Sequence, residues 1–351
     1  MSSACSPSQL HRETLGTCTI VSGISFHLAV SQEETGFPLA FSLLVYRDVD
    51  QVVRLLRAIY RPHNLYCVHV DRKSNEALQA SLRMVIACLP NVLLVPRAIN
   101  VTWGSVTTLE PELECMRLLW KQRVKWRYFI NLTGQEFPLK TNKELVHILK
   151  TFRGANDIRG THNPDFHYRW KKHLPAPYNL TVSKGSVHIV ASRGFVDYVI
   201  HSLVSRELLK WVTPIYIPDE IFFSTLNHNP HLGVPGSYLG SIEEPFKATF
   251  VRYKLWNTPR FPHVQPCDGR WVRHICHFAP GDLPRMIASS KLFANKFSYD
   301  YMPAAYDCLE EWYWHRVHLE NSGRALPLNL SVYATSNLVT HRYTGPVRVW
   351  D

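Results

Sequence analysis

The segment LAFSLLVYRDVDQVVRLLRAIYRPHNLYCVHVD, residues 39–71, determines the fold class. Its first part, LAFSLLVY (39–46), is an apolar run typical of a buried strand, and LYCVHVD (65–71) is a second such run. Between the two runs, apolar residues recur at helical spacing, with Arg54 and Arg57 on the opposite face. The apolar face comprises Val49, Val52, Val53, Leu56, Ile59 and Tyr60. The segment therefore predicts a strand, an amphipathic helix and a second strand.

The same alternation continues to residue 133. A helix is predicted up to about Cys88, then a strand at NVLLV (91–95), a helix through ECMRLLWKQ (114–122) and a strand at WRYFINLT (126–133). Such alternation predicts an α/β fold with a mostly parallel, Rossmann-like sheet covered by helices on both faces. From about 155 to 185 we expect loops. The last hundred residues, rich in proline and aromatic side chains, are expected to be irregular.

The composition indicates a folded protein with a basic surface. Of the 351 residues, 46% are hydrophobic and 19% are charged. The 39 lysines and arginines exceed the 28 acids, and the net charge of +11 favours anionic partners. The basic residues are scattered, and no nucleic-acid-binding module is recognisable, so a nucleic-acid partner is not predicted.

Cysteines and glycosylation signals both indicate a secretory compartment. The eight cysteines include no CxxC pair or zinc-finger spacing, which favours disulfides over metal, but the spacing alone leaves on the order of a hundred pairings open. Asn-x-Ser/Thr sequences predict glycosylation at Asn100, Asn179 and Asn329, whereas Asn131 lies in a predicted buried strand. Residues 14–32 lack charge but are too rich in Ser, Thr and Gly to span a bilayer. Either a membrane anchor is missing from this chain or the secretory interpretation is wrong.

Ligands of α/β sheets bind beyond the carboxyl ends of the strands, where Asp71 closes the second predicted strand. Asp71 could hold a ribose or a base, or it could cap the next helix. No glycine-rich dinucleotide or P-loop motif is present. The letters DVD at 48–50 match a metal-binding D-x-D motif, but Asp50 is expected to cap the amphipathic helix. The sequence therefore does not support a metal ion.

Two adjacent carboxylates, Asp219 and Glu220, stand in the segment TPIYIPDEIFF (213–223), directly before an apolar helical run. Both acids could cap that helix, because the positive end of a helix dipole favours carboxylates. Alternatively, one acid could act as a general base on a bound hydroxyl. The pattern alone leaves both interpretations open.

Several motifs resemble one family along residues 39–310. They are LLRAIYRPHNLYCVHVDRKS, FINLTGQEFPLKTN, IPDE, VRHICHFAPGDL and KLFANKF. They are similar to the β-1,6-N-acetylglucosaminyltransferases that make core 2 and I branches, in glycosyltransferase family 14, and this chain resembles a divergent member. The resemblance implies a GT-A-type fold and a Golgi enzyme. It also implies inverting transfer of GlcNAc from UDP-GlcNAc to a sugar 6-hydroxyl, without a metal ion or other cofactor.

The resemblance also assigns catalytic and donor-binding residues. The glutamate base falls on Glu220, and the cations that neutralise the leaving diphosphate fall on Arg273 and Lys296. Donor contacts would come from the following residues: Leu44, Asp71 and Trp103. For Trp103 a buried core position is the alternative.

The acceptor site matches the family less well. The resemblance keeps a cation at Arg169 and an aromatic ring at Tyr253, and Asp219 would bond a substrate sugar or cap the helix. A family acid falls near Ile158, a family lysine falls on Phe166, and a second family aromatic falls on Leu255. Lost hydrogen-bond partners weaken discrimination, so the core 2 acceptor on O-glycans is in doubt.

The resemblance further implies four disulfides, a domain division and a location. The pairs are Cys5–Cys308, Cys18–Cys88, Cys67–Cys115 and Cys267–Cys276. The division is a stem segment (1–35), a catalytic domain (36–315) and a C-terminal extension (316–351). The implied location is the Golgi lumen, in a type II membrane protein whose anchor is not visible in this chain. Two alternatives remain: a related transferase with another donor or acceptor, and an inactive sugar-binding secretory protein.

Overall fold

The fold consists of alternating strands and helices around a central sheet, in a computed structural model that describes residues 30–243, 249–257, 266–324 and 326–346. The strands are β1 (Leu39–Val45), β2 (Leu65–Val70), β3 (Val92–Leu94), β4 (Tyr128–Thr133), β5 (Glu136–Pro138), β6 (Gly160–Thr161), β7 (Lys184–Gly185), β8 (Val190–Ser192), β9 (Arg252–Tyr253), β10 (Arg270–Val272), β11 (Ile275–His277) and β12 (Phe293–Asn295).

The helices lie between and after these strands. They are α1 (Gln32–Thr35), α2 (Val49–Ile59), α3 (Glu76–Ala87), α4 (Glu110–Trp120), α5 (Asn142–Thr151), α6 (Arg193–His201), α7 (Leu203–Val212), α8 (Phe222–Asn227), α9 (Leu283–Ile287), α10 (Pro303–Asn321), α11 (Ser331–Ala334) and α12 (Asn337–Thr340). Short 3₁₀ helices span Val106–Thr108, Pro164–Arg169, Lys171–His173, Pro177–Asn179, Pro218–Glu220, Pro230–Leu232 and Pro280–Asp282.

The central sheet has the strand order β3-β2-β1-β4-β8. The first four strands run parallel, and β8 runs antiparallel to β4. Each strand of the predicted alternation is present, with bounds that differ by one or two residues from those expected. The predicted α/β class with a mostly parallel sheet is therefore confirmed.

The two faces of this sheet are covered by different helices. Leu39, Phe41 and Leu43 of β1 point to one face, where they pack with α2, α3 and α5. Ala40 of β1 and Phe129 of β4 point to the other face, towards α4, α6 and α7. Successive side chains of a strand alternate between faces, so an all-apolar strand needs cover on both. The prediction of helices on both faces is confirmed.

A second sheet, β5-β12-β9, adjoins the carboxyl end of β4. Strand β12 runs antiparallel to β5 and parallel to β9. Glu136 of β5 and Arg252 of β9 form a buried ion pair of 2.7 Å, and Asn295 of β12 donates a hydrogen bond of 3.1 Å to the same carboxylate. Burial raises the pKa of Glu136, while the neighbouring Arg252 opposes that rise. Polar bonds among all three strands thus hold this sheet together.

Helix α10 corrects one expectation. The last hundred residues were expected to be irregular, but α10 is a regular helix of 19 residues. It packs over α2, on the face opposite the sheet, where Arg54 lies 2.6 Å from Asp307 and 4.7 Å from the ring centre of Tyr306. Because these residues are about 250 positions apart, the periodicity of α2 alone could not reveal the contact.

The cap of α2 also differs from the expectation. Asp48, and not Asp50, is the N-cap: its backbone is left-handed (φ 60°), and its side chain accepts a hydrogen bond from the Gln51 N–H. Asp50 lies exposed in the first helical turn, where its negative charge interacts favourably with the helix dipole.

Two of the predicted disulfides lie within the described residues, and both are present. Cys67–Cys115 joins β2 to α4, and Cys267–Cys276 closes the β10–β11 hairpin. On the chain-entropy estimate, closing loops with sequence separations of 48 and 9 contributes about 4 and about 2.6 kcal/mol.

The other two predicted pairs lie partly beyond the described residues. Cys88 and Cys308 are disulfide-bonded. Their predicted partners, Cys18 and Cys5, lie outside the described residues, so these two pairings stay predictions.

The three asparagines predicted to be glycosylated are exposed, and the one expected to be buried is buried. Asn100, Asn179 and Asn329 are exposed, whereas Asn131 is buried and donates to the Val187 carbonyl at 2.7 Å. Within the described ranges, no helix combines the length and the apolar character needed to cross a bilayer. The domain bounds stay predictions, and residues 1–29 of the expected stem segment lie outside the described residues.

Candidate active site

The two adjacent carboxylates lie on a short turn between α7 and α8. Ile217 has a left-handed backbone (φ 57°), and Pro218 to Glu220 form a 3₁₀ helix that ends before α8 begins at Phe222. Glu220 therefore lies in this 3₁₀ turn, just before α8. Neither acid caps α8, because no side-chain cap bond is present at that helix.

Glu220 is held by cations through one of its oxygens. Oε2 accepts a hydrogen bond from Arg169 Nη1 at 2.7 Å, and Lys184 Nζ lies 3.5 Å away. The positive charge of Arg159 also interacts with Glu220. Oε1 makes no hydrogen bond within the described part of the chain, and the Glu220 side chain is 21% exposed. One oxygen is thus fixed in place, while the other is open to a ligand.

Asp219 is in an unfavourable environment for a charged group. Its Oδ1 is buried and has no hydrogen-bond partner among the described residues. Burial raises the pKa of Asp219 to about 6, and the charge of Glu220 adds to this rise, while a hydrogen bond from Thr108 opposes it. A carboxylate kept at such a position is typical of a functional site.

Trp103 lies beside this turn and not in the core. Its side chain is 67% exposed, and its ring packs edge-on against Tyr216 with a centroid distance of 5.6 Å. The Ile217 N–H donates to the Gly104 carbonyl at 2.8 Å, which ties the two segments together. The alternative of a buried core tryptophan is wrong. The ring is free to stack on a ligand, and its contact with the donor stays a prediction.

The other predicted donor residues lie at the carboxyl edge of the parallel sheet. Leu44 pairs with His69 on β2 and with Thr133 on β4, one residue before β1 ends. Asp71 directly follows β2, and its Oδ1 accepts from the Lys73 N–H at 2.9 Å. The cap of α3 is Asn75, so the helix-capping alternative for Asp71 is wrong.

The two predicted phosphate-binding cations lie in one positive region. Arg273 sits at the tip of the β10–β11 hairpin with a left-handed backbone (φ 48°), and Lys296 directly follows β12. Burial lowers the pKa of Lys296, and the charges of Arg47 and Arg273 lower it further. Burial lowers the pKa of His277 to about 4, and the positive charges around it, first of all that of Lys296, add to the decrease. Arg47 completes this group, and no motif had predicted it.

Lys254 connects the two ends of the site. It follows β9, and burial lowers its pKa to about 8, while the carboxylates of Glu136 and Glu220 oppose the decrease. Glu136 also acts on Lys296. The base candidate and the phosphate cations are therefore linked through the second sheet.

The predicted acceptor residues have different outcomes. Arg169 contacts the base candidate, whereas Tyr253 is only 6% exposed and lies against Phe278, with a centroid distance of 5.7 Å. Tyr253 thus offers an acceptor little surface, and its acceptor role stays a prediction. Asp157, adjacent to a missing family acid, is buried and accepts from the Phe250 N–H. It therefore serves the fold.

Two groups of possible metal ligands do not form a metal centre. In the DVD segment, Asp48 uses a side-chain oxygen for its helix cap, and Asp50 is exposed in the first turn. Cys267, Cys276 and Asp282 lie close together, but the two sulfurs are bonded to each other and are not available as thiolate ligands.

Comparison with known proteins identifies the family. The Core-2/I-Branching enzyme model matches residues 39–287. The human N-acetyllactosaminide beta-1,6-N-acetylglucosaminyl-transferase is 34% identical over 301 residues, which cover 80% of this chain and 73% of that protein. The human beta-1,3-galactosyl-O-glycosyl-glycoprotein beta-1,6-N-acetylglucosaminyltransferase 3 is 35% identical over 306 residues, covering 81% and 69%. Among solved structures, the galactosyltransferase LgtC aligns with a TM-score of 0.38 and 10% identity over 84% of this chain and 99% of that chain. A likeness that weak supports no argument.

The family matches define a glycosyltransferase, an enzyme with a nucleotide-sugar donor and a glycan acceptor. The chain belongs to the Core-2/I-branching enzyme family. This membership and the α/β sheet agree with the GT-A-type fold expected from the sequence.

Proposed function

We propose that this chain transfers GlcNAc from UDP-GlcNAc to the 6-hydroxyl of a galactose or N-acetylgalactosamine on O-glycans. The transfer inverts the donor's anomeric carbon, needs no metal ion and uses Glu220 as general base. Family membership supports the reaction type, since relatives at 34–35% identity carry beta-1,6-N-acetylglucosaminyltransferase names.

The main observation behind the proposal is how the Glu220 carboxylate is held. Arg169 and Lys184 fix Oε2, which leaves Oε1 in a defined orientation and without a hydrogen bond among the described residues. Oε1 would take the proton of the acceptor hydroxyl while that oxygen attacks C1 of GlcNAc, opposite the departing UDP. A single displacement needs one base and no enzyme nucleophile, and such base catalysis contributes roughly 10² to 10⁴ fold.

The second part of the proposal concerns the leaving group. Departure of UDP develops negative charge on the β-phosphate, and Arg47, Arg273 and Lys296 form a positive region that could neutralise it. Preorganised cations stabilise such charge in the transition state, and fixed side chains are not removed by a chelator. Trp103, Leu44 and Asp71 would contact the sugar and uridine.

We also propose that the protein works in the Golgi lumen as a type II membrane protein. The disulfides Cys67–Cys115 and Cys267–Cys276 support an oxidising compartment, because disulfides are rare in the cytosol. The exposed sequons at Asn100, Asn179 and Asn329 are compatible with it.

The test is acceptor-dependent UDP release from UDP-GlcNAc in EDTA, with core 1 disaccharide and lactosamine offered separately. We expect release with at least one acceptor and a β-1,6 linkage by NMR of the product. Glu220→Gln should lower kcat by about 10² or more while UDP binding is kept. Glu207→Gln, which removes an exposed acid of α7, is the matched control. Unchanged turnover in Glu220→Gln would refute the base, and loss of activity in EDTA would refute the metal-free mechanism.

A further inference from the structure

The surroundings of Glu220 carry more positive than negative charge. Arg159, Arg169 and Lys184, here called the acceptor-side cations, all interact with Glu220. Lys254 adds a fourth positive charge on the same carboxylate. Three or four cations thus lie around two adjacent acids, Glu220 and Asp219, and the charge of Arg169 also acts on Asp219. Arg169 alone donates a hydrogen bond of 2.7 Å to Glu220 Oε2, while Lys184 Nζ stands farther away, at 3.5 Å, and is the cation less committed to that carboxylate.

The folded chain does not supply a full set of hydrogen-bond acceptors and negative charges for these cations. The side chain of Arg169 is only 8% exposed, and its Nε is buried without a hydrogen-bond acceptor among the described residues. Burial lowers the pKa of Lys184, and its cationic neighbours Arg159 and Arg169 lower it further, although Glu220 opposes them. Burying a positive group costs free energy unless an anion compensates it, and an anionic ligand would compensate the charge that Glu220 and Asp219 leave over at the buried Arg169 and the partly buried Lys184.

A short antiparallel strand pair holds two of the cations in position. Strands β6 and β7 pair Thr161 with Lys184. A Cβ on Gly185 would lie 2.3 Å from the Arg159 carbonyl oxygen, so this close approach requires glycine. The strand pair therefore brings the backbones of Arg159 and Lys184 together in advance of any ligand.

An aromatic ring and an acid complete the surroundings. The Phe166 ring lies 5.6 Å from the Arg169 guanidinium and 5.1 Å from Lys184 Nζ, distances at which a ring attracts a cation. Glu243 is also near the β6–β7 strand pair, but Thr161 and the His162 N–H bind its carboxylate. Phe166 stands where the resemblance implied a lysine, and Lys184 places a cation beside it.

We infer that the acceptor of this enzyme carries an anionic group, a carboxylate or a sulfate ester, next to the sugar that accepts GlcNAc, and that Lys184 and Arg159 bind it. The inference rests on the proposed function, because it names the acceptor class of the same site. Guanidinium and ammonium groups bind multi-oxygen anions by charge-assisted hydrogen bonds. A neutral acceptor would offer these groups hydroxyls but no counter-charge.

The test compares three forms of one acceptor: core 1 disaccharide, its form sialylated on the galactose 3-hydroxyl and its form sulfated there. The 6-hydroxyls stay free in all three. We expect kcat/KM for at least one anionic form to exceed that for the neutral form tenfold or more, which corresponds to about 1.4 kcal/mol. The two anionic forms distinguish carboxylate from sulfate.

Variants show whether the acceptor-side cations cause the preference. Lys184→Gln should reduce the anionic-to-neutral ratio at least fivefold, and Arg159→Gln, at an exposed position, is a second variant. Lys210→Gln removes an exposed lysine of α7, 67% exposed, and should leave the ratio unchanged. Equal or better use of the neutral acceptor by the wild-type enzyme would overturn the inference, as would a ratio that neither variant changes.

A binding measurement separates this inference from the proposed function. Saturation-transfer NMR in the presence of UDP measures acceptor binding without turnover. If no acceptor is glycosylated but the anionic forms bind in a Lys184-dependent way, the proposed function fails, and the anion-binding role of Lys184 is supported without it. If the neutral acceptor is glycosylated and binds as tightly as the anionic forms, the inference fails and the proposed function stands.

Discussion

We predict that the stability of Asp219→Asn relative to the wild type depends on pH. The variant should be more stable relative to the wild type above about pH 6 than it is below about pH 4. Burial, and then the charge of Glu220, raises the pKa of Asp219 from an ordinary 3.8 to about 6. The folded protein therefore binds a proton at pH values where the unfolded chain has lost it. Wild-type stability falls as the pH rises through this range, and the asparagine side chain, which does not titrate, would not take part in that fall.

The magnitude follows from the two pKa values. The difference between 3.8 and about 6 corresponds to roughly 3 kcal/mol of folding free energy. Asparagine has nearly the same shape, so its packing cost is independent of pH and cancels when the wild-type and variant stabilities are subtracted at each pH. The variant should therefore gain up to about 3 kcal/mol on the wild type between about pH 4 and 7.

The assay is urea unfolding of both proteins, followed by tryptophan fluorescence at about pH 4, 5, 6 and 7. Glu207→Gln is the control, because its side chain is 40% exposed and surface substitutions usually change stability by less than about 0.5 kcal/mol. A stability difference between Asp219→Asn and wild type that stays constant with pH would refute the reasoning. The pKa of Asp219 would then not be raised in the folded protein.

Three further predictions concern the rest of the site. Replacing both Cys267 and Cys276 by serine should lower the free energy of unfolding by about 2.6 kcal/mol, measured in urea, and a reducing agent should then have no further effect on that hairpin. Lys296→Met should weaken UDP binding about tenfold or more by calorimetry but leave uridine binding nearly unchanged, because uridine lacks the diphosphate. Gly104→Ala should cost at least about 1 kcal/mol by thermal unfolding, because Gly104 has φ +81° and a Cβ there would lie 2.8 Å from the Tyr216 ring; an unchanged melting temperature would contradict this.

The central sheet was predictable because its signals are local. The segment 39–71 contains two apolar strands and an amphipathic helix, each readable from a few neighbouring residues. The helix cap was assigned to Asp50 and not to Asp48 because the left-handed backbone at Asp48 is not encoded by residue type. The contacts of Arg54 were not predictable because α10, which covers it, is far away in the sequence.

Residues of the site were predictable only where they lie within recognisable sequence motifs. Glu220, Arg273 and Lys296 came from the resemblance, which fixed positions but not contacts. Lys184 and Lys254 were missed because neither stands in a motif, and each meets Glu220 only through tertiary packing. Lys184 offered no local signal, because its strand partner Thr161 lies far earlier in the sequence.

The two groups of cations stand on different kinds of backbone. Lys254 and Lys296 follow paired strands of the sheet that the buried Glu136–Arg252 pair ties together. Lys184 lies on a two-residue strand, and the segment before it contains short 3₁₀ turns. A substitution on those turns exchanges a side chain without repacking a sheet. The residues proposed to bind the acceptor can therefore change while the proposed phosphate site keeps its framework.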